Sequence, residues 1–147
     1  MEKTIFLGFL LMVTILENIN SDTYFLTAEV DDLNNSEGTV IFALYNKNGT
    51  IPDENFKNYY KIKSGDIIDK TAKVTFNHLN PGIYAITILH DENNNGKIDK
   101  KFMLPLPDEG VGFSNYTDFG LNNRPNFKKA SFNLNKDTTI VVKTIYK

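Results

Sequence analysis

The run HDENNNGKID, His90 to Asp99, sets oxygen-bearing side chains at alternate positions and then turns on a glycine. Asp91, Asn93 and Asn95 stand at the first, third and fifth places of a calcium-loop pattern. Gly96 holds the sixth place, where the turn is sharp, and Lys97 the seventh, where a backbone carbonyl serves as ligand. Ile98 at the eighth place is expected to tuck into a core, and Asp99 falls at the ninth. Such spacing curls a backbone so that hard oxygen donors converge on one point, which is what calcium requires. The pattern departs from the motif at its twelfth place, where Phe102 stands instead of a bidentate Glu, and no helix pattern flanks the loop. A cation would therefore need a carboxylate from farther along the chain, with Asp108, Glu109 and Asp118 as candidates. Lys97, Lys100 and Lys101 offset the local charge. The expected affinity is weak, roughly 0.1–1 mM, as in extracellular calcium modules. The competing reading is a metal-free polar turn, because Asn and Asp before Gly bond their own backbone readily.

Other residues with chemical potential lie close by. His90 precedes the loop and could bind a ligand or a transition metal, or act as a base. With His78 and Asp91 it could form a small nitrogen–oxygen site if the two histidines faced each other. A histidine at a strand end more often orients a loop by hydrogen bonding. The segment PLPDEGVGFSNY (Pro105 to Tyr116) could form a binding loop, with Phe113, Tyr116 and Phe119 as a flat apolar platform for a carbohydrate or other small molecule. The alternative is that these rings pack the segment onto the fold. Gly110 and Gly112 permit close backbone approach but lack the strand–glycine–helix context of a phosphate loop. Ser114 has no histidine partner in sequence, and Arg124, the sole arginine, is expected to pair with Asp118 or Glu109.

The elements that must position these groups read as strands. The chain has 147 residues, a net charge of -2 and no cysteine. That length suits one domain with its own core. The charge gives no basic surface to steer it onto nucleic acid, and the lack of cysteine excludes disulfides, thiolate nucleophiles and cysteine zinc sites. Residues 1–21 carry Lys3, an apolar run from Ile5 to Leu16 and a polar exit at Glu17, the layout of a cleaved secretory signal peptide. The apolar run falls short of the about 20 residues a membrane span needs, so the mature chain is expected to carry no stable span.

Residues 22–147 then form the expected domain. Short segments with period-two alternation run over Thr23–Leu33, Thr39–Asn46 and Ala72–Leu79, and the first two could pair as a hairpin. The Asn80–Gly82 turn leads into Ile83–His90, whose near-continuous apolar character predicts burial on both faces. Lys47–Lys63 is polar with scattered aromatics and suits a helical turn or a short edge strand. A long segment of little periodicity, from Asp91 to about Lys128, precedes two closing strands over Lys129–Leu134 and Thr138–Lys147. Segments of that length without regular structure are often functional. The count predicts an all-β, antiparallel, Ig-like β-sandwich of about seven strands.

Leu79, Pro81, Gly82 and Tyr84 resemble the Leu-x-Pro-Gly-x-Tyr strand pair of transthyretin-like and carboxypeptidase-regulatory-like sandwiches. The wider set of HDENNNGKIDKKF, LPDEGVGFSNY and RPNFKKASFNL resembles the bacterial family called domain of unknown function 2141, small exported proteins with no established activity. The resemblance covers most of the chain after residue 21. It implies a transthyretin-like sandwich and an exported location in the periplasm, at the cell surface or outside the cell.

The leading expectation is a non-enzymatic binding or structural module, acting on an unknown protein or cell-envelope ligand, with calcium as the one cofactor suggested. Its rivals are a small-molecule binder built on the loop aromatics and an enzyme using His90, Asp91 and Glu109 as acid–base groups.

Overall fold

Alternation along two central strands decides the architecture. In β2 (Thr39–Tyr45) and β5 (Gly82–Asp91), nearly every side chain is buried, on both faces. Successive side chains of a strand point to opposite faces, so two different cores must cover this pair. Val40, Phe42 and Leu44 of β2 join Tyr84, Ile86 and Ile88 of β5 in one cluster. Ile41, Ala43 and Tyr45 join Ala85 and Leu89 in another. Fully burying one such large apolar side chain contributes roughly 1.5–3 kcal/mol.

The computed structural model of the protein describes residues 22–101, 103 and 105–147. The expected signal peptide, residues 1–21, and Phe102 lie outside these residues. The first cluster fills the space between two sheets. The smaller sheet has the order β4–β1–β8, where β1 is Tyr24–Val30, β4 is Ala72–Leu79 and β8 is Thr138–Val141. The larger has the order β3–β2–β5–β6, where β3 is Lys61–Asp66 and β6 is Gly110–Phe113, and β7 (Phe132–Leu134) also pairs with β5. One helical turn, α1, spans Phe127–Ala130, capped by the Asn126 side chain on the Lys129 N–H. The fold is a β-sandwich, as expected, with eight strands among the described residues.

Several details differ from the sequence reading. β1 and β2 do not form a hairpin, because β1 pairs with β4 and β8 in one sheet while β2 pairs with β3 and β5 in the other. Each sends one apolar face to the shared core, which a flat hairpin would not allow. The β1–β8 pairing is parallel, so the sandwich is not wholly antiparallel. A positive φ falls on His78, at 54°, where β4 bulges between the Leu26–Phe76 and Tyr24–Leu79 pairs. Edge strand β3 overlaps the segment Lys47–Lys63, in which the sequence allowed a short edge, only over Lys61–Lys63 and runs on to Asp66. Its Lys61 and Lys63 ammonium groups reach the Asn77 and Thr75 carbonyls of β4, at 3.3 and 2.6 Å, so its polar side chains bridge toward the smaller sheet.

The second cluster lies on the outer face of the larger sheet, and the long segments cover it. Ile51, Phe56, Tyr116, Phe127 and Ala130 pack there against β2 and β5. Ser114 stitches the cover to β5 between β6 and β7. Its N–H donates to the Ile86 carbonyl, its Oγ accepts the Ile86 N–H, and its hydroxyl donates to the Ala130 carbonyl at 2.6 Å.

The C-terminal segment closes the sandwich. After β8 the chain leaves the smaller sheet, and Ile145 exchanges both backbone hydrogen bonds with Val111 of β6. This crossing requires Gly112 to be bare, because a Cβ there would lie 2.3 Å from the Lys143 carbonyl oxygen and 2.9 Å from Ile88. Gly112→Ala is therefore expected to destabilise the fold by about 1–3 kcal/mol through overpacking. At Gly82 an added Cβ meets nothing closer than 3.5 Å, so Gly82→Ala should change stability by less than about 0.5 kcal/mol. Urea midpoints of the two variants check the contrast.

Candidate functional site

The same alternation separates His90 from Asp91. His90 follows the inward set of β5 and is fully buried. Its Nε2 lies 2.9 Å from the Glu37 carbonyl, an acceptor only, so Nε2 carries the proton. Nδ1 then accepts from the Tyr146 hydroxyl at 2.6 Å. That hydroxyl in turn accepts the Asn34 N–H at 3.2 Å, and burial pushes the Tyr146 phenol above its ordinary pKa, which keeps the donor proton in place. Both ring nitrogens of His90 are thus committed to the fold. It ties the β1–β2 connection to the C-terminal segment and is not exposed to a ligand. His78 lies exposed on the smaller sheet, its ring 5.9 Å from that of Phe25, so the two histidines do not face each other.

Asp91 points the other way, into the 91–99 loop. Its carboxylate accepts the Asn95 and Gly96 N–H groups at 3.0 and 2.8 Å. Asn93 and Asn95 accept the N–H groups two residues on, and both turn their amide NH2 onto Asp99 Oδ2, at 2.7 and 2.6 Å. Asp91, Asn93, Asn95 and Asp99 therefore come together in one polar curl. Gly96, at φ 75°, makes the sharp turn. Ile98 packs against the outer core, as the eighth place of the pattern suggested. Gly38 lets the loop's root sit close, since a Cβ there would lie 1.9 Å from the Asp91 carbonyl oxygen.

Of the three carboxylates expected to complete the loop, Glu109 reaches it. It is buried, and it accepts the Glu92 N–H at 3.0 Å and the Asp99 N–H at 3.4 Å. Burial pushes its carboxyl above the usual carboxylate range, and the charges of Asp99 and Asp91 push in the same direction against those two donors. Asp108 contributes its backbone N–H to the Asp99 carbonyl, while its side chain is exposed. Asp118 is drawn elsewhere: it pairs with Lys147, which holds its carboxyl below the usual range. Lys100 pairs with Glu54 at 2.5 Å. Among the described residues no three His, Cys, Asp or Glu side chains converge as a metal-ligand group. The donor set is carboxylate and amide oxygen with backbone carbonyls, which suits a hard cation and not a transition metal.

The aromatic platform is not exposed. Phe113 and Tyr116 are buried in the outer core, and Phe119 packs edge-on against Phe113 with ring centroids 5.5 Å apart. Tyr116 also receives the Asn126 N–H on its hydroxyl. These rings bind the cover to the sheet, and a flat carbohydrate platform does not form from them. Arg124 makes no ion pair with Asp118 or Glu109; among the described residues its guanidinium enters no salt bridge. The sequence reading missed Tyr146, which holds His90, since nothing in TIVVKTIYK shows that the last turn of the chain crosses between sheets.

The family model described as "uncharacterized protein conserved in bacteria (DUF2141)" matches residues 28–141. The chain belongs to that family. No curated protein and no solved structure matches. No helix of the described residues is long and apolar enough to cross a membrane.

The raised Glu109 pKa has a definite sign. The stability linked to a protonated Glu109 is full below the ordinary value of 4.5 and is lost as pH rises through the raised value. Glu109→Gln removes this contribution. Over the pH range above about 4.5 the wild type should lose stability relative to Glu109→Gln, read as the difference between their urea midpoints. A difference that stays constant across that range would contradict the burial of a charged Glu109 beside Asp91 and Asp99.

Proposed function

We propose that this member of the family is an exported, non-enzymatic binding module whose 91–99 loop takes a calcium-like divalent cation. The observation that carries the reading is Glu109. The loop lacks a carboxylate at its twelfth place, and the buried carboxylate of Glu109, just before β6 and bonded to the Glu92 and Asp99 N–H groups, would stand in for it. Asp91, Asn93, Asn95, Asp99 and the Lys97 carbonyl would supply the remaining oxygens, the two amides turning to present Oδ1. A divalent charge there would offset the charges of Asp91 and Asp99, which raise the Glu109 pKa, and would draw β5, β6 and the loop together.

His90 supports a binding role over an acid–base one. It and Asp91 lie on opposite faces of β5, with both imidazole nitrogens already engaged. The exported location rests on the N-terminal pattern of residues 1–21. The ligand of the module would be a protein or another cell-envelope component meeting the covered face.

A cation that binds only the folded state stabilises it by about 2.7 kcal/mol at 100 times its dissociation constant. Thermal melts of the chain from Asp22 onward, in chelator and in about 10 mM calcium, should differ by several degrees if that constant lies near 0.1 mM. Asp99→Asn, which neutralises a half-exposed ligand without removing a backbone cap, should abolish most of the shift. An unchanged melt in the wild type would reduce the loop to a polar turn.

A further inference from the structure

The cover over the larger sheet does not fill the space beneath it. A cavity of about 580 Å³ lies between β5 and the two covering segments, within the roughly 300–1,000 Å³ typical of small-molecule sites. Its walls are apolar: Pro52, Pro105, Pro107 and Pro125 stand around the rings of Phe113 and Phe119. Among the described residues, two polar groups in this lining lack protein partners. Thr87, in the middle of β5, is 2 % exposed, and its Oγ1 makes no hydrogen bond. Thr87 lies close enough to the Tyr45 hydroxyl to offset part of the rise in its pKa, but no hydrogen bond closes between them, and Tyr45 donates its proton to Asp53 at 3.2 Å. Arg124, exposed and without a salt bridge, stands at the mouth.

The acidic residues of the lining do not answer Arg124. Asp53 is occupied by the Tyr45 hydroxyl and by the N–H groups of Lys57 and Asn58. Glu54 is paired with Lys100. A buried hydroxyl left without a protein partner is costly, and one that lines a cavity is placed to bond what occupies it.

We infer that this cavity is a binding site for a small aromatic carboxylate with a hydroxyl at the far end of the molecule. The ring would lie among the prolines and against Phe113 and Phe119, the carboxylate would meet Arg124 at the mouth, and the hydroxyl would bond Thr87 at the floor. Flat apolar walls favour a ring over a flexible chain, because a rigid ligand loses less freedom on binding. The site stands apart from the cation loop, with Ile98 as the one loop residue whose side chain forms part of its wall. It does not depend on cation binding.

Calorimetric titration of the chain from Asp22 onward with three probes tests the assignment: 4-hydroxycinnamate, cinnamate without the hydroxyl, and 4-hydroxycinnamyl alcohol without the charge. 4-Hydroxycinnamate should bind tightest, with cinnamate roughly tenfold weaker and the alcohol about threefold weaker, as befits an exposed charge pair. In Thr87→Val the first gap should close while the protein melts no lower than wild type, since an isosteric methyl replaces an unpartnered hydroxyl. In Arg124→Gln, an exposed change that leaves folding intact, the second gap should close. The pattern should hold in chelator as well as in calcium, which separates this site from the cation loop. Absence of saturable binding by all three probes would overturn the site. Equal binding of all three, unaffected by either variant, would overturn the roles given to Thr87 and Arg124.

Discussion

The two-sided burial of β5 is the constraint on which the rest of the structure depends. A strand with Tyr84, Ile86 and Ile88 on one face and Ala85 and Leu89 on the other cannot sit at the surface of a two-layer sandwich. It needs a second core outside the larger sheet, and here irregular chain provides it, from the segment around Ile51 and Phe56 and from the stretch after β6. The long connection is thus a structural layer before it is anything else. Its aromatics are spent on that layer, which is why Phe113 and Tyr116 are buried and form no open platform.

Both candidate sites grow out of this cover. Where β5 ends, alternation sends His90 inward to Glu37 and Tyr146 and sends Asp91 outward to the loop. The inward residue locks the frame, and the outward one begins the curl of oxygen-bearing side chains. Two residue pairs further back, Thr87 faces the outer side, where the cover leaves room above it. The carboxylate loop and the cavity therefore share a face of one strand but differ in chemistry, the first charged, the second mostly apolar.

Much of this was legible in the sequence, for physical reasons that can be named. Ala72–Leu79 was readable as a strand to the residue because its buried and exposed positions alternate. The apolar run from Ile83 announced burial on both faces, and DENNNGKID announced its own curl, because short-range hydrogen bonds of Asp and Asn depend only on local spacing. What was hidden is long-range. β6 has glycine on its inner face, so GVGF carries no apolar alternation, and the glycines answer to a C-terminal segment about 30 residues away. Glu109 was one of three equal candidates until the fold placed it at the loop and drew Asp118 to Lys147. The partnerless state of Thr87 and Arg124 could not be read from any local pattern, since it reflects what the fold leaves unpaired.

If the 91–99 loop takes the proposed cation, calcium orders the junction between β5 and its cover. Amide hydrogen exchange with and without calcium tests it residue by residue. The account predicts that the Glu92, Asn95, Gly96 and Asp99 amides, all bonded to loop or Glu109 oxygens, exchange several-fold more slowly in about 10 mM calcium. Amides of Leu26 and Ala28 in the opposite sheet should slow only to the extent of global stabilisation. Unchanged exchange at all four loop amides would contradict the account and leave the junction as a turn held by its own hydrogen bonds.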